Sequence, residues 1–416
     1  MEPNGPGCAE EPESTTVPVR YCRREMQEDL QADPPYAIEY ADGTFDLYGH
    51  ETPSFKIQIA DRELYHRLFA LDAYSLAMEY VKGRFSVEGD LVAAVRFYRS
   101  QPFSRFWRGL QTAVARFGIG RFETWHQSRG RAAKNIRFHY DQSNDFYKQF
   151  LDARMVYSCA YFEHLDQSLD DAQLRKLEYI CRKLKLEAGE TCLDVGCGWG
   201  GLITHAAAEK GAICTGCTLS QEQFRFAMDL VRARGLDAGV HIEMKDYRNM
   251  RGPFDKIASV GMFEHVGQRR LKSYFAALSA LLRPGGLLLN HGITRPEGSR
   301  HNAETVFIRR KVFPGSELPR LSDVIGAAEL AGLEVLDVEN LRPHYALTLR
   351  AWVRRLQENM TQCLHCVESS VYRTWLLAFA GSAASFEDGE LNLNQILLYK
   401  PGSAASRPLT REYMYA

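Results

Sequence analysis

The sequence predicts an α/β protein, a mostly parallel sheet covered by helices on both faces, preceded by a small α+β domain. Three observations carry that expectation. From Thr191 onward, apolar runs suited to strands alternate with glycine loops and helical segments, as in TCLDV, GCGWGG, LITHAAAEKG and AICTGCTL, the pattern of parallel strands joined by crossover helices. Between about Ile38 and Ala93 the pattern differs, with the alternating stretches FKIQI and GRFSVEG flanking a helix-like ELYHRLFALDAYSLAMEYV. The chain is 416 residues long, 45% hydrophobic and 25% charged, which allows more than one domain of ordinary globular type.

Taken in order, residues 1–18 are acidic with Pro and Gly and read as a disordered tail. They lack the basic and apolar segments of a secretion signal, and no apolar run is long enough to cross a bilayer. A cytoplasmic protein is expected. Residues 19–100 form the small α+β domain. Residues 101–140 are a basic aromatic linker in which Arg105, Arg108, Arg116, Arg121 and their neighbours face one acid, Glu123, with Phe103, Trp107 and Trp125 interleaved. The formal net charge of the whole chain is only −1, so attraction to polyanions must come from this uneven distribution. Nucleic acid and anionic lipid surfaces both suit such a segment.

A second domain spans residues 141–402, with a C-terminal tail at 403–416. It opens on QSLDDAQLRKLEYICRKLKL, where Leu174, Leu177, Ile180 and Leu184 recur at helical spacing and Ser168 can cap the start. The strand and helix alternation follows, ending in FDKIASVG, LKSYFAALSALLRPGG and LLLNHGI. The ten cysteines are expected as reduced thiols. Their C-x-x-C pairs, Cys214/Cys217 and Cys363/Cys366, fall on a strand and a distant helical stretch, so no metal site is assigned.

Gly196, Gly198 and Gly201 match G-x-G-x-x-G, the dinucleotide pattern. A dinucleotide site also needs an acid at the end of the next strand to hold ribose. Here that strand ends in CTGCTLS, without a carboxylate. Asp194 before the loop and bulky Trp199 within it suit adenosine carrying an amino acid better than a pyrophosphate. Ligand should bind beyond the strand C-termini, where the glycine loop, SVGMFEH and NHGIT all lie.

Several separated strings now coincide. LDVGCGWGG, HYDQSNDFY, YSCAYFE, TLSQEQ, DYR, VGMFEHVG and HGIT resemble, in order and spacing, the cyclopropane-fatty-acyl-phospholipid synthases and mycolic acid cyclopropane synthases over about residues 130 to 400. The resemblance implies a Rossmann-like S-adenosylmethionine (SAM) methyltransferase domain with a mostly parallel seven-stranded sheet. It implies SAM contacts at Tyr157 and Ser158, at Leu193, Asp194, Gly196, Gly198, Trp199, Gly200 and Gly201 of the loop, and at Thr218, Leu219, Ser220, Gln223, Asp246 and Tyr247. Gln223 would bond the ribose hydroxyls and Asp246 the adenine amino group.

By the same resemblance, the methyl of SAM passes to a cis alkene in a phospholipid acyl chain, and a bound bicarbonate serves as base for ring closure. Its implied contacts are Cys159, Glu264, His291, the backbone of Ile293, and Tyr345. His265 is expected to pack beside them, and the ring faces of Tyr140, Tyr157, Tyr161 and Phe263 are candidates to stabilise a cation. Ser382 stands where many relatives carry cysteine, which argues against a thiol nucleophile there. A lipid substrate implies peripheral association with the inner face of the membrane through residues 101–140. The stretch Arg295 to Arg320, with Val306, Phe307, Ile308, Val312 and Phe313, reads as a lid and lipid entrance. Nucleic acid is not an expected partner, and the N-terminal domain is a candidate contact for a homodimer. The alternative within the fold is a lipid methyltransferase giving methyl- or methylene-branched chains.

Overall fold

The N-terminal sheet consists of β1 (Arg20–Tyr21), β2 (Tyr36–Tyr40), β3 (Phe45–Tyr48), β4 (Phe55–Ile59) and β5 (Ser86–Gly89), in the order β1-β3-β2-β4-β5. The computed structural model describes residues 20–21, 34–101, 143–299, 303–312, 317–402 and 409–415. The expectations for the acidic tail, the basic aromatic linker and Tyr140 lie outside those residues. Strict alternation in β4 turns Phe55, Ile57 and Ile59 into a core with Tyr36 and Phe97. The single helix expected beside it is two, α1 (Arg62–Phe69) and α2 (Ala73–Val81). Asp72 causes the break, because its carboxylate accepts from the Tyr74 and Ser75 N–H groups at 3.0 and 3.2 Å and starts a new helix. The unit closes with α3 (Leu91–Ser100), capped by Asp90.

The second unit runs α4 (Asn144–Lys148), α5 (Leu169–Lys183), β6 (Thr191–Val195), α6 (Gly201–Lys210), β7 (Ile213–Thr218), α7 (Gln221–Ala233), β8 (Val240–Met244), β9 (Phe254–Val260), α8 (Leu271–Leu281) and β10 (Leu282–Thr294). It continues through α9 (Ala303–Lys311), α10 (Leu321–Glu329), β11 (Glu334–Asn340), α11 (Arg342–Glu358), α12 (Met360–Cys366), α13 (Ser369–Glu387), β12 (Asn392–Tyr399) and α14 (Glu412–Tyr415). Ser168 caps α5 as expected, accepting from Asp171 N–H. The seven strands stand in the order β11-β12-β10-β9-β6-β7-β8, parallel except that β12 runs against both neighbours. The chain goes from β6 to β7 on one side and returns to β9 on the other. That reversal opens a crevice at the strand C-termini.

The N-terminal unit is fastened to α13. Arg99 of α3 is buried and donates to Ser385 Oγ (2.8 Å), the Gly381 carbonyl (3.1 Å) and Asp388 (3.1 Å). Arg373 reaches back to the Phe85 carbonyl at 3.2 Å. Within the stretch expected as a lid, Phe307 and Val312 are buried against Val81 and Ala378, so this segment bridges α2 and α13. Among the described residues no helix is long and apolar enough to cross a membrane, and no cluster of metal-ligating side chains forms. Cys214 and Cys217 are buried on β7, Cys363 and Cys366 lie on α12, and all are free thiols.

Candidate active site

The crevice holds a cavity of about 150 Å³. Asp194, Gly196, Gly198, Trp199 and Gly201 line it from the glycine loop, Thr218, Leu219 and Gln223 from the end of β7, Asp246 and Tyr247 from the turn after β8, and Tyr157 and Ser158 from the loop before α5. A Cβ on Gly201 would lie 2.9 Å from Val156 Cγ2 and 3.0 Å from the Arg154 carbonyl, so only glycine lets these two backbones close on the cavity. Trp199 fills the turn and donates from Nε1 to Asn144 Oδ1 at 2.7 Å.

Three expected cofactor residues do not reach this cavity. Leu193 points from β6 into the core beside Ile257, Ser220 caps α7, and Gly200 packs on Ala227. Adjacent residues of a strand face opposite ways, so a contiguous motif includes supports as well as contacts. Gln223 accepts with its amide oxygen from Thr218 Oγ1 (2.7 Å), which leaves its N–H groups as the donors it can offer to a ligand. Asp246 is paired with Arg248, so its carboxylate is already a shared acceptor.

One group here was not foreseen. Lys176 of α5 is fully buried beneath the cavity, and its Nζ donates to Ser158 Oγ at 2.9 Å. Burial pulls its pKa down to about 8, against the pull of Asp152, Cys159 and Asp194. Burial likewise pushes Asp194 up to about 7, with Lys176 opposing, and its Oδ1 has no partner. Gln173, one turn before Lys176, donates to the carbonyls of Val156 (3.2 Å) and Ser158 (2.8 Å) and so fixes the loop that carries Tyr157. The signal was present: Gln173, Lys176, Leu177 and Ile180 share one face of α5, so a lysine sits on the apolar stripe.

A second cavity, about 640 Å³ and mostly apolar, adjoins the first. Tyr157, Ser158, Gly261 and His265 line both. Cys159, Glu264, His291, Ile293, Tyr345 and Ser382 all line the larger one. Glu264 sits in a 3₁₀ turn, Phe263–His265, after β9. That turn lies against β10 because Gly292 has no side chain, and a Cβ there would fall 2.1 Å from the Phe263 ring. Glu264 Oε1 accepts from the Ile293 N–H at 2.7 Å, while Oε2 is buried without a partner. Burial pushes its pKa up to about 7, partly offset by the Ile293 N–H. His291 is neutral, since burial holds it well below the ordinary histidine value. Its Nδ1 stands 3.1 Å from Gln395 Nε2 and is assigned as acceptor, which leaves Nε2–H as a donor that none of the described residues satisfies.

The remaining expected residues divide. The Ile293 N–H, expected as an anion contact, donates instead to Glu264 Oε1. Burial pushes the Cys159 thiol up, and its Sγ donates to the Ala160 carbonyl. The Tyr345 ring packs 4.8 Å from Phe386 at the cavity wall. Of the expected cation-stabilising rings in the described residues, Tyr157 faces the cavity, whereas Tyr161 stacks on His344 at 4.7 Å and Phe263 packs over Gly292. His265 is neutral, its pKa pushed by desolvation down to about 4.

The profile of the mycolic acid cyclopropane synthetase family matches residues 127–396. The chain is 41% identical over 392 residues to a Pseudomonas putida protein named "Probable fatty acid methyltransferase", covering 92% of this chain and 96% of that one. It is 39% identical over 288 residues to the tuberculostearic acid methyltransferase UfaA1 of Mycobacterium tuberculosis, covering 66% and 67%. Among solved structures, the cyclopropane synthase MmaA2 from Mycobacterium tuberculosis matches with a TM-score of 0.63 at 32% identity, over 64% of this chain and 98% of that one. The mycolic acid cyclopropane synthase CmaA1 complexed with SAH and CTAB matches with a TM-score of 0.62 at 34% identity, over the same shares.

Proposed function

The chain belongs to the mycolic acid cyclopropane synthetase family and is a SAM-dependent methyltransferase, and from that premise we propose that it builds a cyclopropane on the cis double bond of an unsaturated phospholipid acyl chain, with bicarbonate as base. One observation carries the reading. Within an apolar cavity, Glu264 offers an unpaired acceptor and His291 an unpaired donor. A buried polar group without a partner costs about 1–3 kcal/mol, and a small anion that also carries a hydroxyl would satisfy both.

SAM, held in the smaller cavity, supplies the methyl group as an electrophile. Tyr157 and Ser158 stand where the two cavities meet, so they orient the methyl toward the alkene. Bicarbonate would be held by His291 Nε2–H and Glu264 Oε2 and would supply a base. Glu264, poised near neutrality, would take on from the bicarbonate the proton that leaves the transferred carbon. The Tyr157 ring faces the carbon that becomes positive.

Deuterium counting tests this. With trideuteromethyl SAM and vesicles of cis-monounsaturated phospholipid, ring closure discards one deuterium, so the expected product carries two, with high-field ring-proton signals. A branched reading is favoured by the names of the fatty acid and tuberculostearic acid methyltransferases. It requires three deuteriums for a methyl branch, or two with vinylic signals for a methylene branch. Either result refutes ring closure while leaving the fold and cofactor intact.

The reading includes docking on the inner face of a bilayer through the basic aromatic segment, because the alkene lies within an acyl chain. Flotation with anionic vesicles should fall with salt, since the screening length is about 10 Å at 0.1 M. Reversing Arg105, Arg108 and Arg116 to Glu should release the protein. Flotation unaffected by the reversal excludes this segment as the dock.

A further inference from the structure

The larger cavity is not enclosed by the methyltransferase unit alone. Helix α2 lines it with Ala73, Leu76, Ala77 and Tyr80, and α3 with Leu91, Ala94, Val95 and Tyr98. Each set follows the spacing i, i+3, i+4, i+7, the apolar stripe of an amphipathic helix. Such a stripe ordinarily packs against protein. Here both stripes border the cavity, and so does Phe97 of α3, whose ring also lies 4.4 Å from Tyr36 and 5.8 Å from Phe55 in the N-terminal core. Arg99 holds α3 against α13, and Phe307 holds α2, so the unit is fixed over the cavity. The MmaA2 and CmaA1 matches cover 98% of those chains but 64% of this one, whereas the Pseudomonas putida relative covers 92%. The family profile begins at residue 127, after both stripes.

We infer that the N-terminal unit sets acyl-chain length, its α2 and α3 stripes receiving the part of the chain that runs past the reacting double bond. This rests on the acyl-chain reading above. The cavity is continuous from Glu264 and His291 to these stripes, and its apolar walls suit a hydrocarbon of defined extent. Each methylene accommodated should tighten binding roughly fourfold until the wall is met.

The test uses the full-length protein and three variants, Ala77→Phe, Ala94→Phe and Leu76→Ala, each accepted as folded when it binds SAM with wild-type affinity. Alkyltrimethylammonium ions from ten to eighteen carbons, about the length range of membrane acyl chains, are titrated by intrinsic fluorescence. Monounsaturated phospholipids of graded chain length are then compared in turnover. The two phenylalanine variants should lower the chain length at which affinity stops rising, and Leu76→Ala should raise it or flatten the limit. Turnover should follow the same order. Should both phenylalanine variants misfold, Leu76→Ala carries the test alone. An unchanged length profile in folded variants overturns the inference, and so does an equal loss at every length, which would place the stripes at the entrance. A wild-type protein that shows the length limit in binding but converts no lipid would refute the proposed reaction and not the ruler.

Discussion

The two cavities that meet at Tyr157, Ser158, Gly261 and His265 are built in opposite ways. The smaller is assembled from backbone and polar side chains at the ends of adjacent strands, each piece only a few residues from the sheet that fixes it. The larger is assembled from helical stripes, a turn and strand residues that lie far apart in the chain, with Glu264 and His291 buried in its wall. A binding site for a polar molecule needs donors at fixed positions, so the sheet itself supplies the rigidity. An oily cavity needs shape and few directional contacts, so any apolar surface can contribute. Chemistry is possible only where the two meet, which makes the boundary residues the place to break the molecule.

The largest effect should come from Glu264→Gln. It removes the proton acceptor at Oε2 while keeping an oxygen for the Ile293 N–H, so turnover should fall by about 10²–10⁴ with SAM affinity unchanged by calorimetry. Loss of SAM binding would place Glu264 in the wrong cavity. Next comes Gly201→Val, which acts on the other side. Its side chain would collide with Val156 and the Arg154 carbonyl, costing about 1–3 kcal/mol by overpacking and weakening SAM binding at least tenfold. Alkyl binding in the large cavity should survive. If both ligands are lost together, the two cavities are not separable.

These contrasts explain what the sequence could and could not disclose. The loop from Asp194 to Gly201, the Tyr157 and Ser158 pair and the Asp246 turn are local strings, and each contributes residues to the smaller cavity. Glu264 and His291 were legible for the same reason, each carried by a short string, VGMFEHVG and HGIT, that the resemblance rests on. Leu193, Gly200 and Ser220 share those strings but face the core or cap a helix, because a string does not say which way a side chain points. The stripes of α2 and α3 were invisible as ligand walls, since an apolar helical face reads identically whether protein or hydrocarbon covers it. The break at Asp72 was missed because apolar residues on either side continue the helical period while the cap is a single side chain.

Lys176 sharpens the boundary. Its ammonium holds Ser158 Oγ and stabilises the ionised form of Asp194. Lys176→Met should therefore leave Asp194 largely protonated near neutrality and Ser158 unanchored. SAM affinity should fall about tenfold, equivalent to about 1.4 kcal/mol, and the loss should deepen as pH is lowered. Lys176→Arg should restore part of it. A loss independent of pH would mean that the lysine serves packing alone.

The smallest expected effect is a slope in stability with pH, and its sign follows from which state binds more protons. Glu264 titrates near 7 when folded and near the ordinary carboxylate value when unfolded. Between those values the folded state holds the extra proton, so its contribution to stability is complete below the unfolded pKa and is lost as pH rises toward about 7. Asp194 acts in the same direction. His205, His265, His291 and His344 act oppositely, because burial holds each below its ordinary value and protonation favours the unfolded chain. The raw profile of the SAM-free protein is a sum of opposing slopes and isolates nothing. The difference between wild type and Glu264→Gln isolates one group, and from pH 5 to 7 it should drift against the wild type by about 1 kcal/mol per pH unit. Parallel denaturation free energies across that range would show that Glu264 is ionised in the folded protein, and the proton acceptor of the larger cavity would then have to be sought elsewhere.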